Sequence, residues 1–193
     1  MLSFYIDFKC PASYLALNPT VDLATRLGIE IEWNPFRSQQ QPIPAAGANE
    51  SRGETHLRVR AIQQRATHQK YAGLRGVDMA FRDEPGESDL ALAGLKCQLA
   101  DPFAFVRRAF RAYWTESADL NDPSLVLSLL SETGNSVSAG ALDAALSSFK
   151  SDQAKLEESG LFTTPTYRIA DQIFVGREHL PLIERTIRSL RDR

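Results

Sequence analysis

Cys10-Pro11-Ala12-Ser13 is the stretch of this chain whose residue types and spacing could do chemistry. An alternating apolar run, Leu2-Phe4-Ile6-Phe8, ends just before it, and a helical pattern begins at Tyr14. A thiol at a strand-to-helix junction faces the unpaired N–H groups of the first helical turn, which stabilise an anion. Such a position can bring a cysteine pKa from about 8.5 to roughly 3.5–7.5, so the spacing predicts a thiolate at neutral pH. Pro11 suits the first turn because its missing N–H would have no intrahelical partner. Ser13 stands where a dithiol site carries its second cysteine, so the motif is Cys-x-x-Ser. Ser13 either caps the helix or donates to the sulfur, and a hydroxyl cannot resolve a disulfide. The bland alternative for Cys10 is a small buried hydrophobe.

The elements that must position this thiol follow from periodicity. Leu2 to Asp7 alternates as a strand, and Ser13 to Leu27 repeats as a helix with Leu17, Val21, Ala24 and Leu27 on one side. Gly28 is a helix terminator, and Ile29, Ile31 and Trp33 then alternate with Glu30 and Glu32 as a second strand. A strand–helix–strand unit of this length predicts a parallel pair with a right-handed crossover. Pro35 to Gly53 reads as a loop, and residues 50 to 158 read as wholly helical. Within them, Glu54 to Ala72 carries Arg58, Arg60, Arg65 and Lys70, a solvated face or an anion site. Leu99, Phe103, Val106, Phe110 and Trp114 recur at helical spacing, Asp122-Pro123 starts another helix, and Ser138 caps a third. At the end, Thr166 to Ile169 and Ile173 to Val175 flank Ala170-Asp171-Gln172 as a hairpin. Glu178 to Leu190 then reads as a helix with Leu180, Ile183, Ile187 and Leu190 inward. The predicted order is βαβ, a helical block, then ββα.

Composition narrows the partners. The 193 residues are 43% hydrophobic and 24% charged with a net charge of −2, which suits a globular domain and gives no basis for nucleic acid or an anionic membrane. No apolar run approaches the ~20 residues of a membrane helix, and no cleavable leader pattern precedes the first strand. A cytoplasmic protein is the expectation. Cys10 and Cys97 are too few for a disulfide framework, and whether they approach each other is not set by the sequence. His56, His68 and His179 lack metal-ligand spacing, so no metal is expected. Tyr5, Tyr14, Trp33 and Trp114 read as core rings, one or two of which could line a pocket for an aromatic substrate.

The order βαβ…ββα with a thiol at the first strand-to-helix junction resembles the thioredoxin fold, an α/β class, here with a large all-helical insertion. Thr164-Pro165, before the hairpin, resembles that family's cis-proline beside the active thiol. With the insertion, the chain resembles the DsbA-like branch, and within it the 2-hydroxychromene-2-carboxylate isomerases and kappa-class glutathione transferases. The resemblance rests on Phe4 to Phe8 leading into Cys10 to Ala16, Phe105 to Trp114 with Asp119 to Asp122, Gly160 to Thr166, and Phe174 to Leu180. It implies a thioredoxin-like domain of residues 1–40 and 160–193 and a helical domain of residues 41–159. It further implies catalytic roles for Cys10 and Ser13, and glutathione bound by Thr164, Pro165, Arg177, Glu178 and Asn49. The second substrate would be a small aromatic or electrophilic molecule, and a homodimer is a common assembly among such proteins. Two departures stand out. The isomerase and transferase pattern has serine where this chain has Cys10, and the dithiol DsbA pattern has cysteine where it has Ser13. A glutathione-dependent isomerase or transferase is therefore the leading expectation. The alternatives are a DsbA-type thiol–disulfide oxidoreductase with a single cysteine, and a noncatalytic peptide-binding module.

Overall fold

In the computed structural model, which describes residues 1–40, 42–47 and 50–191, a four-stranded sheet has the order β2-β1-β3-β4. Strand β1 (Leu2–Ile6) lies centrally, parallel to β2 (Ile31–Pro35) and antiparallel to β3 (Thr166–Ile169), which pairs antiparallel with β4 (Gln172–Val175). Leu2, Phe4 and Ile6 are fully buried on one face, while Tyr5 packs on the other against Phe36 and Leu161. Phe4 opposes Tyr167 across the β1–β3 pair, their rings stacked 4.7 Å apart, and this cross-strand pair helps set the register. The β3–β4 hairpin turns through Ala170 and Asp171, with Ala170 at φ 52°.

Helix α1 (Pro11–Leu27) makes the crossover, and Gly28 ends it in the left-handed conformation at φ 57°. Pro19 lies inside α1 and cannot bond the carbonyl of Leu15, four residues back. That carbonyl instead accepts from Arg75 Nη1 at 3.2 Å, so a distant side chain satisfies the group that the proline orphans.

Between β2 and β3 lie α2 (Arg52–Leu74), α3 (Asp89–Gly94), α4 (Pro102–Trp114), α5 (Pro123–Glu132) and α6 (Ala139–Glu158); α7 (Leu180–Arg191) closes the chain. This stretch is not wholly helical as expected. Residues 75–88 form an irregular segment in which Ala80 N donates to the Trp114 carbonyl at the end of α4. Helix α2 starts at a capping box formed by Ser51 and Glu54, yet only Ala72 of its residues is buried. Helix α4 is the reverse case: Phe105, Val106, Ala109 and Phe110 are fully buried. Phe8 meets Phe105 and Phe110 edge-on at 6.1 and 5.1 Å, and Tyr14 stacks on Phe110. Phe8 and Tyr14, which flank Cys10 in sequence, are thereby both packed on α4.

Two end-of-chain expectations are corrected. Residues Arg177–His179 form a 3-10 turn, and the last α-helix starts at Leu180 rather than Glu178. Leu190 is exposed, whereas Ile183 and Ile187 of α7 are buried and Leu180 packs against the core. No helix among the described residues is long and apolar enough to cross a membrane.

Candidate active site

Cys10 occupies the position that caps α1, with φ −82° and ψ 115°, and its side chain makes no capping bond. Sequence-distant chain closes over it. Cys10 Sγ donates to the Thr164 carbonyl at 3.3 Å, and the Thr164–Pro165 peptide is cis. The thiol and the threonine–proline corner, 154 residues apart, therefore form one site.

Ser13 is fully buried in the first turn of α1, and its Oγ accepts from Asp7 N at 3.5 Å. It is not the cap, since Cys10 holds that place; its main-chain and side-chain donors face the sulfur and favour a thiolate there.

The expectation of an acidified thiol is not met. Burial pushes the Cys10 thiol above its ordinary value; Thr164 and Ser13 pull it down, and the charge of Asp7 adds to the rise. The magnitudes explain the sign. A helix end contributes ~0.3–1 kcal/mol, up to ~2 in the best partly buried geometries. Full burial can move a pKa by about 3–5 units, and each unit is ~1.4 kcal/mol. With Cys10 only 3% exposed, desolvation wins. The resting group is a neutral S–H.

A cavity of about 340 Å³ opens beside the thiol. Ala61, Gln64, Arg65 and His68 of α2 form one wall, while Phe81, Tyr113 and Trp114 supply aromatic surface. Trp114 Nε1 donates to the Phe8 carbonyl at 2.9 Å, which anchors that wall to the end of β1. The mouth is polar. Arg65 pairs with Asp83 at 3.2 Å, Lys9 pairs with Glu87 at 3.3 Å, and Arg82 is held by the carbonyls of Tyr113 and Ala118. Burial, and then the nearby Arg177, hold the His68 imidazole below the ordinary histidine range.

The remaining expected residues sit to one side of the cavity. Gly176 N donates to the Pro165 carbonyl at 2.8 Å, which fastens the turn carrying Arg177 and Glu178 to the threonine–proline corner. Arg177 lies 4.3 Å over the Tyr71 ring, and burial, then Arg75, hold its guanidinium below the usual arginine value. Neither Arg177 nor Glu178 lines the cavity itself. Asn49 lies outside the described residues.

Four buried side-chain atoms lack a hydrogen-bond partner among the described residues, and two of them, Thr164 Oγ1 and Arg177 Nη1, fall at this corner. Polar groups fully removed from water are nearly always paired, so these two fit a ligand bearing both an acceptor and an anionic group. Among the described residues no three His, Cys, Asp or Glu side chains gather as a metal site. Both cysteines are free; Cys97 lies just past α3 and not in the cavity beside Cys10. Of the basic residues on α2, Arg58 is tied to Glu50 at 2.7 Å, and Arg65 faces the cavity. Sequence reading missed the cavity roles of Lys9, His68, Phe81 and Tyr113, which no local pattern marks. It also missed Asp7, whose signal was a charge directly after an uncharged strand.

Comparison with known proteins agrees with this architecture. A 2-hydroxychromene-2-carboxylate isomerase of Sphingobium xenophagum is 27% identical over 190 residues, covering 95% of each chain. A solved 2-hydroxychromene-2-carboxylate isomerase superposes with a TM-score of 0.73 at 23% identity, covering 98% of this chain and 95% of that one. The cytosolic disulfide reductase DsbM of Pseudomonas aeruginosa, solved with GSH, superposes with a TM-score of 0.63 at 19% identity and covers 98% of both chains. The DSBA-like thioredoxin domain matches residues 1–188, and the chain belongs to that family.

Proposed function

We propose that this protein is a glutathione-dependent isomerase of the 2-hydroxychromene-2-carboxylate isomerase kind, acting on a small aromatic or electrophilic substrate in the cytoplasm. The observation that carries the reading is the placement of Cys10: a buried thiol that donates to the Thr164 carbonyl and borders a cavity, where burial favours its neutral form. Such a group is a hydrogen-bond donor and a poor nucleophile, because the thiolate is what attacks. The resemblance assigns that donor role to a serine hydroxyl, and here Cys10 supplies it.

Thr164 and Arg177 carry the orphaned polar atoms that glutathione would meet, and Glu178 stands beside them to receive an amine. Asn49 joins this set on the resemblance alone. When bound, glutathione supplies a sulfur nucleophile that adds reversibly to an activated carbon–carbon double bond and permits rotation. With glutathione bound, the single Cys10 proton turns from the Thr164 carbonyl toward that sulfur and favours its anionic form. Phe81, Tyr113 and Trp114 hold a flat apolar substrate, and α2 shields it from water. The relatives named as isomerases, and a structural neighbour that holds GSH, support this assignment.

The fold likeness to DsbM favours one second reading, a reductase working through Cys10 alone. Cys10→Ser separates the two. An isomerase keeps its glutathione-dependent rate within about tenfold, since a hydroxyl replaces one donor by another. A reductase loses thiol–disulfide exchange completely. Loss of isomerisation in Cys10→Ser, with exchange present in the unsubstituted protein, rejects the isomerase reading. Glutathione binding without either activity would favour the peptide-module alternative.

A further inference from the structure

Asp7 is the buried charge that the chemistry above leaves unused. It follows β1 directly and is fully removed from solvent. Its Oδ1 accepts from Ser88 Oγ at 2.7 Å and from Lys9 N at 3.2 Å. Its Oδ2 accepts from Ser38 N at 2.9 Å and Ser38 Oγ at 2.8 Å. Ser38 Oγ itself accepts from Gln40 Nε2 at 3.0 Å, so its one proton is committed to Asp7. Two of these four donors are main-chain N–H groups, which cannot reverse. A neutral acid placed here could give its proton only to Ser88 Oγ, by reversing that hydroxyl and losing its donation, whereas a carboxylate accepts from all four. Burial pushes the Asp7 carboxyl above the ordinary carboxylate range; Ser88, Lys9 and Ser38 oppose that rise.

The same side chain ties three segments together: the end of β1, the loop after β2, and the residue preceding α3. Its own N–H reaches Ser13 Oγ, the residue beside the sulfur. We infer that Asp7 is a positioning residue whose buried negative charge keeps Cys10 a sulfhydryl donor toward Thr164 and suppresses its use as a nucleophile. The inference rests on the reading of Cys10 as the working group of the site, and deepens it.

The field of Asp7 at the sulfur is not cancelled by its other neighbours. The titratable and charged groups bordering the Cys10 cavity are Lys9, Arg65, His68, Arg82, Asp83 and Tyr113. Lys9 and Arg65 are paired with Glu87 and Asp83. Arg82, whose Nη2 donates to two carbonyls and whose Nε has no partner among the described residues, is held over the Tyr113 ring. The charge that acts on the Cys10 thiol is that of Asp7. Burial and Arg177 disfavour a charged His68. A second anion close to Asp7 in a low-dielectric site is costly, so the proton stays on sulfur.

The test is the pH dependence of Cys10 alkylation by iodoacetamide in the full chain, in a Cys97→Ser background that leaves one thiol and without glutathione. Asp7→Asn is expected to move the midpoint down by about 1–2 pH units and to speed alkylation at pH 7. Ser88→Ala loosens the knot but keeps the charge, so its midpoint stays at or above that of the Cys97→Ser parent. An unchanged midpoint in Asp7→Asn, or an equal fall in Ser88→Ala, overturns the inference. Should Asp7→Asn fail to fold, the 13C shift of the Asp7 carboxyl in the unsubstituted protein decides. An ionised group at pH 7 supports the assignment, and a protonated one refutes it. Failure of the glutathione reading shows separately, in the Cys10→Ser assays.

Discussion

Replacing Gly176 by alanine attacks the site through backbone geometry, leaving Cys10, Thr164 and Glu178 themselves unchanged. Gly176 has φ 93° and ψ 147°, a conformation that side chains of L-residues rarely adopt. Holding alanine there costs about 1–3 kcal/mol. A Cβ on Gly176 would also land 2.5 Å from Glu178 Cδ, too close for any real contact, so the carboxylate must swing away. Glu178 is exposed and moves cheaply, which leaves the backbone as the main cost. A loss of ~2 kcal/mol in a domain of this size lowers the thermal midpoint by roughly 4–8 °C. Urea unfolding would read the stability, and retention on immobilised glutathione would read the site. Gly176→Ala is expected to lose both. Glu178→Ala is expected to lose retention alone, with stability within about 0.5 kcal/mol, as for an exposed substitution. In the Glu178→Ala background, Gly176→Ala should still cost its backbone share. Full stability in Gly176→Ala would refute the strain argument, and wild-type retention would show that Glu178 placement over Gly176 does not matter to glutathione.

Two further outcomes follow from the same geometry. Arg75→Ala should destabilise the protein by about 0.5–1.5 kcal/mol by freeing the Leu15 carbonyl. That cost should largely vanish in a Pro19→Ala background, where the helix bonds the carbonyl itself; equal costs in both backgrounds would disprove the coupling. The Cys10 thiol pKa is raised on folding, so its contribution to stability is complete below the ordinary thiol value of about 8.5 and is lost as pH rises through the folded value. Compared with Cys10→Ala, the unsubstituted protein should therefore lose stability above about pH 8.5, by up to ~1.4 kcal/mol per pH unit, in chemical denaturation. Parallel curves for the two proteins would contradict a desolvated thiol.

Local pattern was enough for much of this protein. Alternation in Leu2 to Phe8, the 3.6-residue period of α1, Gly28 as terminator and the short connection at Ala170 and Asp171 specify the βαβ and ββ units, because each signal lies within a few residues of the backbone it shapes. The same locality marked Cys10 at a helix start and Thr164-Pro165 before a strand. Helical composition, by contrast, overran its true extent across residues 75–88, where tertiary bonds such as Ala80 to the Trp114 carbonyl replace the helix. Leu190 continued an apolar period past the edge of the core.

Sequence by itself thus determined the βαβ and ββ units and that a lone thiol sits at the first strand-to-helix junction. Only the tertiary structure decided what that thiol is. Its proton depends on solvent exclusion by Thr164, 154 residues away, and on an anion held by Ser38 and Ser88, which lie 31 and 81 residues from Asp7. The helix end acts over one turn and favours the thiolate, whereas desolvation comes from everything packed around the sulfur. The second effect is larger, and it exists only once the chain has folded.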